Sequence, residues 1–197
     1  MKKRILTLAI VGITATAILA GCSSDTGKNP VDGMSEKEHQ QMVEERLVED
    51  ANVDDVKASI KSMHDTMNGL VCYFKQYRMA GTDEAHYDAS SINKHIEKVL
   101  PQVTDTNVKK DLLMLRWLIT YYATYDHLNN EVTDEVANTG VWAHRIAHDL
   151  DYTLHKGGEG DYFGATFALE GEKSKAWKFI QSTDLVTEDE LFSELSE

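Results

Sequence analysis

Apolar residues return at three- and four-residue spacing through most of the chain, the period of helices that bury one face. The most regular stretch runs from Val53 to about Arg78. Val56, Ile60, Met63, Met67, Leu70, Val71, Phe74 and Tyr77 form one stripe of a long helix there, with Gly81 marking its end. Before it, Ser35-Glu36-Lys37-Glu38 has the capping-box form. It predicts a helix to about Asp50 whose few apolar residues, Met42, Val43, Leu47 and Val48, make it peripheral and loosely docked. A shorter helix over Ala85 to Leu100 turns Ile92, Ile96 and Val99 inward and stops at Pro101.

The stretch from Val108 to Leu128 is apolar on two sides. Val108, Leu112, Leu115, Ile119 and Tyr122 lie on one, and Leu113, Trp117, Tyr121 and Leu128 on the other. A helix of that kind is surrounded by others, so this is the expected centre of a bundle. Beyond it, Phe163 to Phe179 alternates weakly. A short hairpin laid against the bundle and a single helix over Ser174 to Gln181 both satisfy that pattern. Thr183 to Glu197 reads as a frayed amphipathic helix or a disordered acidic tail. The fold class is therefore mainly α: a bundle of about four or five helices over residues 35–182, with a small C-terminal hairpin or irregular segment and an acidic tail over 183–197.

Candidate chemistry concentrates in Thr133 to His155. Trp142, Ile146, Leu150, Thr153 and Leu154 form an inward stripe, while His144, His148, Asp151 and His155 recur along another side of the same helix. Imidazoles one turn apart can chelate zinc or copper, and Asp151 adds an oxygen ligand. At ~100° per residue the histidine stripe lies roughly 160° from the apolar one, so a solvated face is expected; as a metal site it would be a surface capture site, or one completed by another helix packing over it. Arg145 stands where a zinc protease helix carries its catalytic Glu, and the Gly158 to Gly164 segment misses phosphate-loop spacing. No Ser/His/Asp order, nucleophile elbow or carboxylate pair stands out, so a non-enzymatic role is expected.

The N-terminal segment has a different pattern. Met1-Lys2-Lys3-Arg4 is basic, Ile5 to Ala20 is apolar and free of charge, and Leu19-Ala20-Gly21-Cys22 ends the run. The run is shorter than the ~20 residues that span a bilayer and has the layout of an export signal. Leu-Ala-Gly-Cys resembles the lipobox of bacterial lipoproteins. That resemblance implies cleavage after residue 21 and acylation of Cys22, hence an anchor in the cell membrane at its extracytoplasmic face. Residues 22–34, rich in Ser, Gly, Asp and Pro, then serve as a tether.

The formal charge of −13, made more negative by loss of the basic signal, disfavours nucleic acid as a partner. With Cys22 acylated, Cys72 has no partner in the chain; an inert, partly buried thiol is expected, with an intermolecular disulfide as the alternative. These features predict a lipid-anchored, extracytoplasmic binding module whose partner is an envelope protein or polymer. A zinc- or copper-binding lipoprotein using the histidine stripe is the second reading; otherwise no cofactor is expected.

Overall fold

The computed structural model describes residues 31–155 and 162–195. The segment expected to be a signal, Cys22 and most of the expected tether lie outside the described residues, as does much of the Gly158 to Gly164 segment. Within them the chain is a helical bundle without strands. The helices are α1 (Glu36–Glu44), α2 (Val53–Val71), α3 (Gln76–Met79), α4 (Asp83–Val99), α5 (Thr106–Thr124), α6 (Asp134–Leu154), α7 (Phe167–Glu170), α8 (Lys175–Thr183) and α9 (Glu188–Leu191).

Most helices start where a short polar side chain takes up the free N–H groups of the first turn. The capping box at Ser35 and Glu38 is formed. Asn52, Thr82, Asp105, Thr133, Ser174 and Thr187 cap the starts of α2, α4, α5, α6, α8 and α9. α1 ends at Glu44 rather than near Asp50, because the chain beyond it pairs with the α4–α5 connection. Leu47 and Val103 form an isolated antiparallel bridge, Val48 N–H donates to Gln102, and Thr104 N–H donates to Arg46. Val43 and Leu47 are buried, and a ring nitrogen of His39 lies 2.9 Å from the Thr153 carbonyl, so α1 is firmly docked.

The long helix expected to reach Arg78 stops at Val71. Tyr73 and Phe74 take left-handed backbone angles (φ 59° and 64°) and project into solvent, 86% and 59% exposed. The reason is tertiary. Tyr122 Oη donates to the Gln76 carbonyl and Gly81 N–H donates to the Tyr122 carbonyl, so α5 holds the 76–81 segment away from the line of α2. Gly81 sits at φ 73°, and a Cβ there would meet the Tyr125 carbonyl oxygen at 1.9 Å. Cys72 is buried, its Sγ 3.4 Å from Asn68 Oδ1 and 3.8 Å from His144 Nε2.

α5 is buried on both sides as its pattern predicts, although Leu128 falls beyond its end and is exposed. α6 is equally central. It makes the most extensive contact with α5 and the next with α2, and every residue from Ala143 to Asp151 is buried. Gly140 permits the α5–α6 approach: a Cβ there would lie 2.9 Å from the Tyr122 ring and 3.0 Å from Val71.

Of the two readings of the C-terminal part, the helical one holds. Trp177 and Phe179 lie on α8 and no hairpin forms. Two fully buried carboxylates organise the approach to it. Asp149 accepts from the N–H groups of Phe163 and Ala165 (3.0 and 2.8 Å), and Asp111 from those of Phe167 and Ala168 (2.6 and 2.9 Å). The acidic segment packs onto the bundle instead of standing off it: Leu191 and Phe192 are buried, Lys110 lies 5.0 Å above the Phe192 ring, and Arg116 pairs with Glu194.

Candidate functional site

The histidine stripe of α6 does not face solvent. α2 packs over it, and His144, His148 and Asp151 are only 4%, 8% and 9% exposed. The covering helix brings two residues that hydropathy reading passed over, His64 and Asn68. His64 stands four residues after Ile60 and three before Met67, inside the apolar stripe of α2. An imidazole at a core position of that stripe was the available signal. His155, at the end of α6, is the most open member, its side chain 37% exposed.

One carboxylate links two imidazoles. His64 Nδ1 donates to Asp151 Oδ2 at 2.8 Å, and His155 Nδ1 lies 2.7 Å from Asp151 Oδ1 and 3.2 Å from the Asp151 carbonyl. The approach of His155 to Oδ1 is a close charge contact with poor hydrogen-bond alignment, and that oxygen is otherwise unpartnered. His144 Nε2 donates to Asn68 Oδ1 at 2.9 Å, since an amide oxygen only accepts. His148 Nδ1 is buried without a hydrogen bond. Asp149 Oδ1, 3.5 Å away, accepts instead from Phe163 N–H.

The three buried rings form a triangle. Ring centres are 4.9 Å apart for His64 and His148, 5.5 Å for His64 and His144, and 6.0 Å for His144 and His148. Phe163 and Tyr152 wall the triangle, with ring centres 4.7 and 4.3 Å from that of His148. Phe163 stands there because Asp149 grips its N–H.

Burial drives the electrostatics. It lowers the pKa of His144 to about 3, helped by the neighbouring charges of His64, His148 and Arg145, so the ring is neutral at any physiological pH. Burial alone would raise Asp151, but the close imidazoles of His155 and His64 more than offset it and hold the carboxyl well below the usual range. Among the described residues Asp111 has no cationic partner, and desolvation raises it well above the usual carboxylate range despite its two N–H donors.

This donor set suits a borderline-soft divalent ion: three buried imidazoles, with a carboxylate behind one of them that orients the ring and raises its basicity. Around a tetrahedral ion with metal–nitrogen bonds of ~2.0 Å, imidazole centres sit ~5 Å apart, close to the triangle observed. Among the described residues, however, no three His, Cys, Asp or Glu side chains have their donor atoms gathered about one point. Coordination would therefore require the rings to turn. The structure brings together His144, His148 and Asp151 of the predicted set, ties His155 to them only through Asp151, and adds His64.

Among the described residues no helix is long and apolar enough to cross a membrane. Compared with protein-family models, curated proteins and solved structures, the chain matches none of them.

Proposed function

We propose that this chain is a non-enzymatic, membrane-tethered module on the extracytoplasmic face that binds a transition-metal ion, zinc or copper, between α2 and α6. The observation that carries the reading is the buried triangle of His64, His144 and His148, in which His148 Nδ1 makes no hydrogen bond among the described residues. An orphaned buried nitrogen costs ~1–3 kcal/mol, and a ligand that engaged it would offset that cost. His64, His144 and His148 are the ligands in this reading, and Asp151 positions His64. Tethering rests on the lipobox resemblance at Leu19 to Cys22.

Calorimetric titration of the chain without a histidine tag, with zinc and separately with copper at neutral pH, tests the metal site. One ion should bind per chain, and His148→Ala should weaken it at least ~10-fold, as loss of a ligand or its support does. Equal affinity in parent and variant, or no binding of either metal, would overturn the assignment.

A further inference from the structure

A second site of different chemistry lies on the side of α6 that carries Trp142. A cavity of about 280 Å³ opens there between α3, α6 and α8. Its apolar surface is the stacked pair Trp142 and Phe179, ring centres 6.1 Å apart with planes 29° from parallel. Three cations line it, Arg145, Lys175 and Lys178, and among the described residues no carboxylate does. In a chain of 33 acids and 20 bases that composition is a local reversal of sign.

Two further features mark a built cavity. Arg145 is held in the wall, its guanidinium 4.7 Å above Trp142 and 5.1 Å above Phe163. Gln76, another lining residue and only 7% exposed, keeps its side-chain oxygen buried without a hydrogen-bond partner. Arg145 and Lys175 make additional interactions of their own, so the exposed Lys178 is the cation available to an incoming anion. Asn138 and Ser182 supply further polar groups.

The volume falls just below the ~300 Å³ at which pockets for drug-sized ligands begin, which selects a small molecule. The acidic surface beyond the cavity repels extended polyanions. We infer that the cavity binds an anionic monosaccharide, phosphorylated or carboxylated, with its ring on Trp142 and Phe179, its anion at Lys178 and its hydroxyls on Gln76, Asn138 and Ser182. The combination of an aromatic platform, a single available cation and convergent amide and hydroxyl groups fits that class better than a bare inorganic anion.

The test is titration of the full-length chain, purified in detergent, with glucose 1-phosphate and with glucuronate, followed by calorimetry and tryptophan fluorescence. Neutral glucose and inorganic phosphate serve as comparison ligands. At least one anionic sugar should bind more tightly than both. The exposed-site change Lys178→Glu should weaken it at least ~10-fold while leaving the urea midpoint in place, and Trp142→Leu should weaken it similarly. Stronger binding of the phosphate or of the carboxylate sugar would then identify the anion. The inference fails if glucose or inorganic phosphate binds as well as the anionic sugars, if Lys178→Glu binds like the parent, or if millimolar ligand gives no response. His148→Ala, which tests the metal site, should leave sugar binding unchanged, so the two readings fail separately.

Discussion

His144 gives the fold a pH dependence whose sign and size follow from its burial. Its folded-state pKa is about 3 against 6.5 for the free side chain, so between these values the unfolded chain takes up a proton that the folded chain does not. The contribution is complete above pH 6.5 and is lost as pH falls toward 3, at ~1.4 kcal/mol per pH unit. Going from pH 7.5 to 5 should therefore remove ~2 kcal/mol, a large part of a typical domain's 5–15 kcal/mol. Asp151 adds nothing in this window, because a carboxyl with a depressed pKa loses its contribution only below ~4. The remaining histidines and the general acidic repulsion also respond to pH, so the measurement is a difference. His144→Gln keeps an N–H donor for Asn68 but does not titrate. Urea unfolding of both proteins at pH 7.5 and 5, with chelator present, should show the variant destabilised at pH 7.5 and the gap between the two narrowing by ~2 kcal/mol at pH 5. An unchanged gap would mean that His144 takes up its proton in the folded protein as readily as in water, and the account of a neutral, desolvated ring would be wrong.

Further outcomes follow from other contacts. Gly140→Ala should destabilise by ~1–2 kcal/mol despite its gain in helix propensity, because the new methyl meets the buried Tyr122 ring and Val71. Gly69→Ala, on the exposed side of α2 with nothing within 4 Å, should instead stabilise by ~0.5–1 kcal/mol; urea midpoints that move in the same direction for both would refute the close-approach reading. Asp111→Ala strips the acceptor from the Phe167 and Ala168 N–H groups and should cost ~2–4 kcal/mol by thermal or urea unfolding. Asp151→Asn should lower metal affinity ~10–100-fold in calorimetry through loss of the carboxylate behind His64. Cys22→Ser should move the protein from the membrane fraction to the soluble fraction, and mass spectrometry of the parent should find acyl chains on Cys22; a variant that still sediments with membranes would refute lipid anchoring.

The helical class was readable because hydrophobic period reports directly which face a helix buries. Ile92, Ile96 and Val99 are buried as their spacing requires, and so are both faces of α5. Period fails where burial is polar. The histidine side of α6 carries His144, His148, Asp151 and His155 and no large apolar stripe, so it resembled a solvated face, yet α2 covers it with His64 and Asn68. Period also says nothing about long-range hydrogen bonds. The two bonds between Tyr122 and the 76–81 segment override a stripe that continued through Phe74 and Tyr77. In the C-terminal part, weak alternation fitted strand and helix alike. What decides the shape there is a pair of buried carboxylates, Asp111 and Asp149, which hold the 163–168 backbone from residues far earlier in the chain.

Two physical accounts exist for placing imidazoles and a carboxylate between α2 and α6. Buried polar groups can fix the register of two helices, and such groups are retained when every member is satisfied. His148 Nδ1 departs from that requirement, and the alternative is a group that binds the folded state and engages the free nitrogen. The accounts differ in the sign of one substitution. If the cluster only sets register, His148→Leu removes an orphaned polar atom and should leave stability unchanged or raise it, and zinc should not affect either protein. If a metal binds, the parent gains ~2.7 kcal/mol at a hundredfold excess over Kd. His148→Leu would forfeit that gain, so the variant would match or exceed the parent with chelator present and fall below it with metal. Thermal unfolding of the two proteins under both conditions therefore separates a packing device from a binding site, and the crossover in rank order is the signature that only the binding account produces.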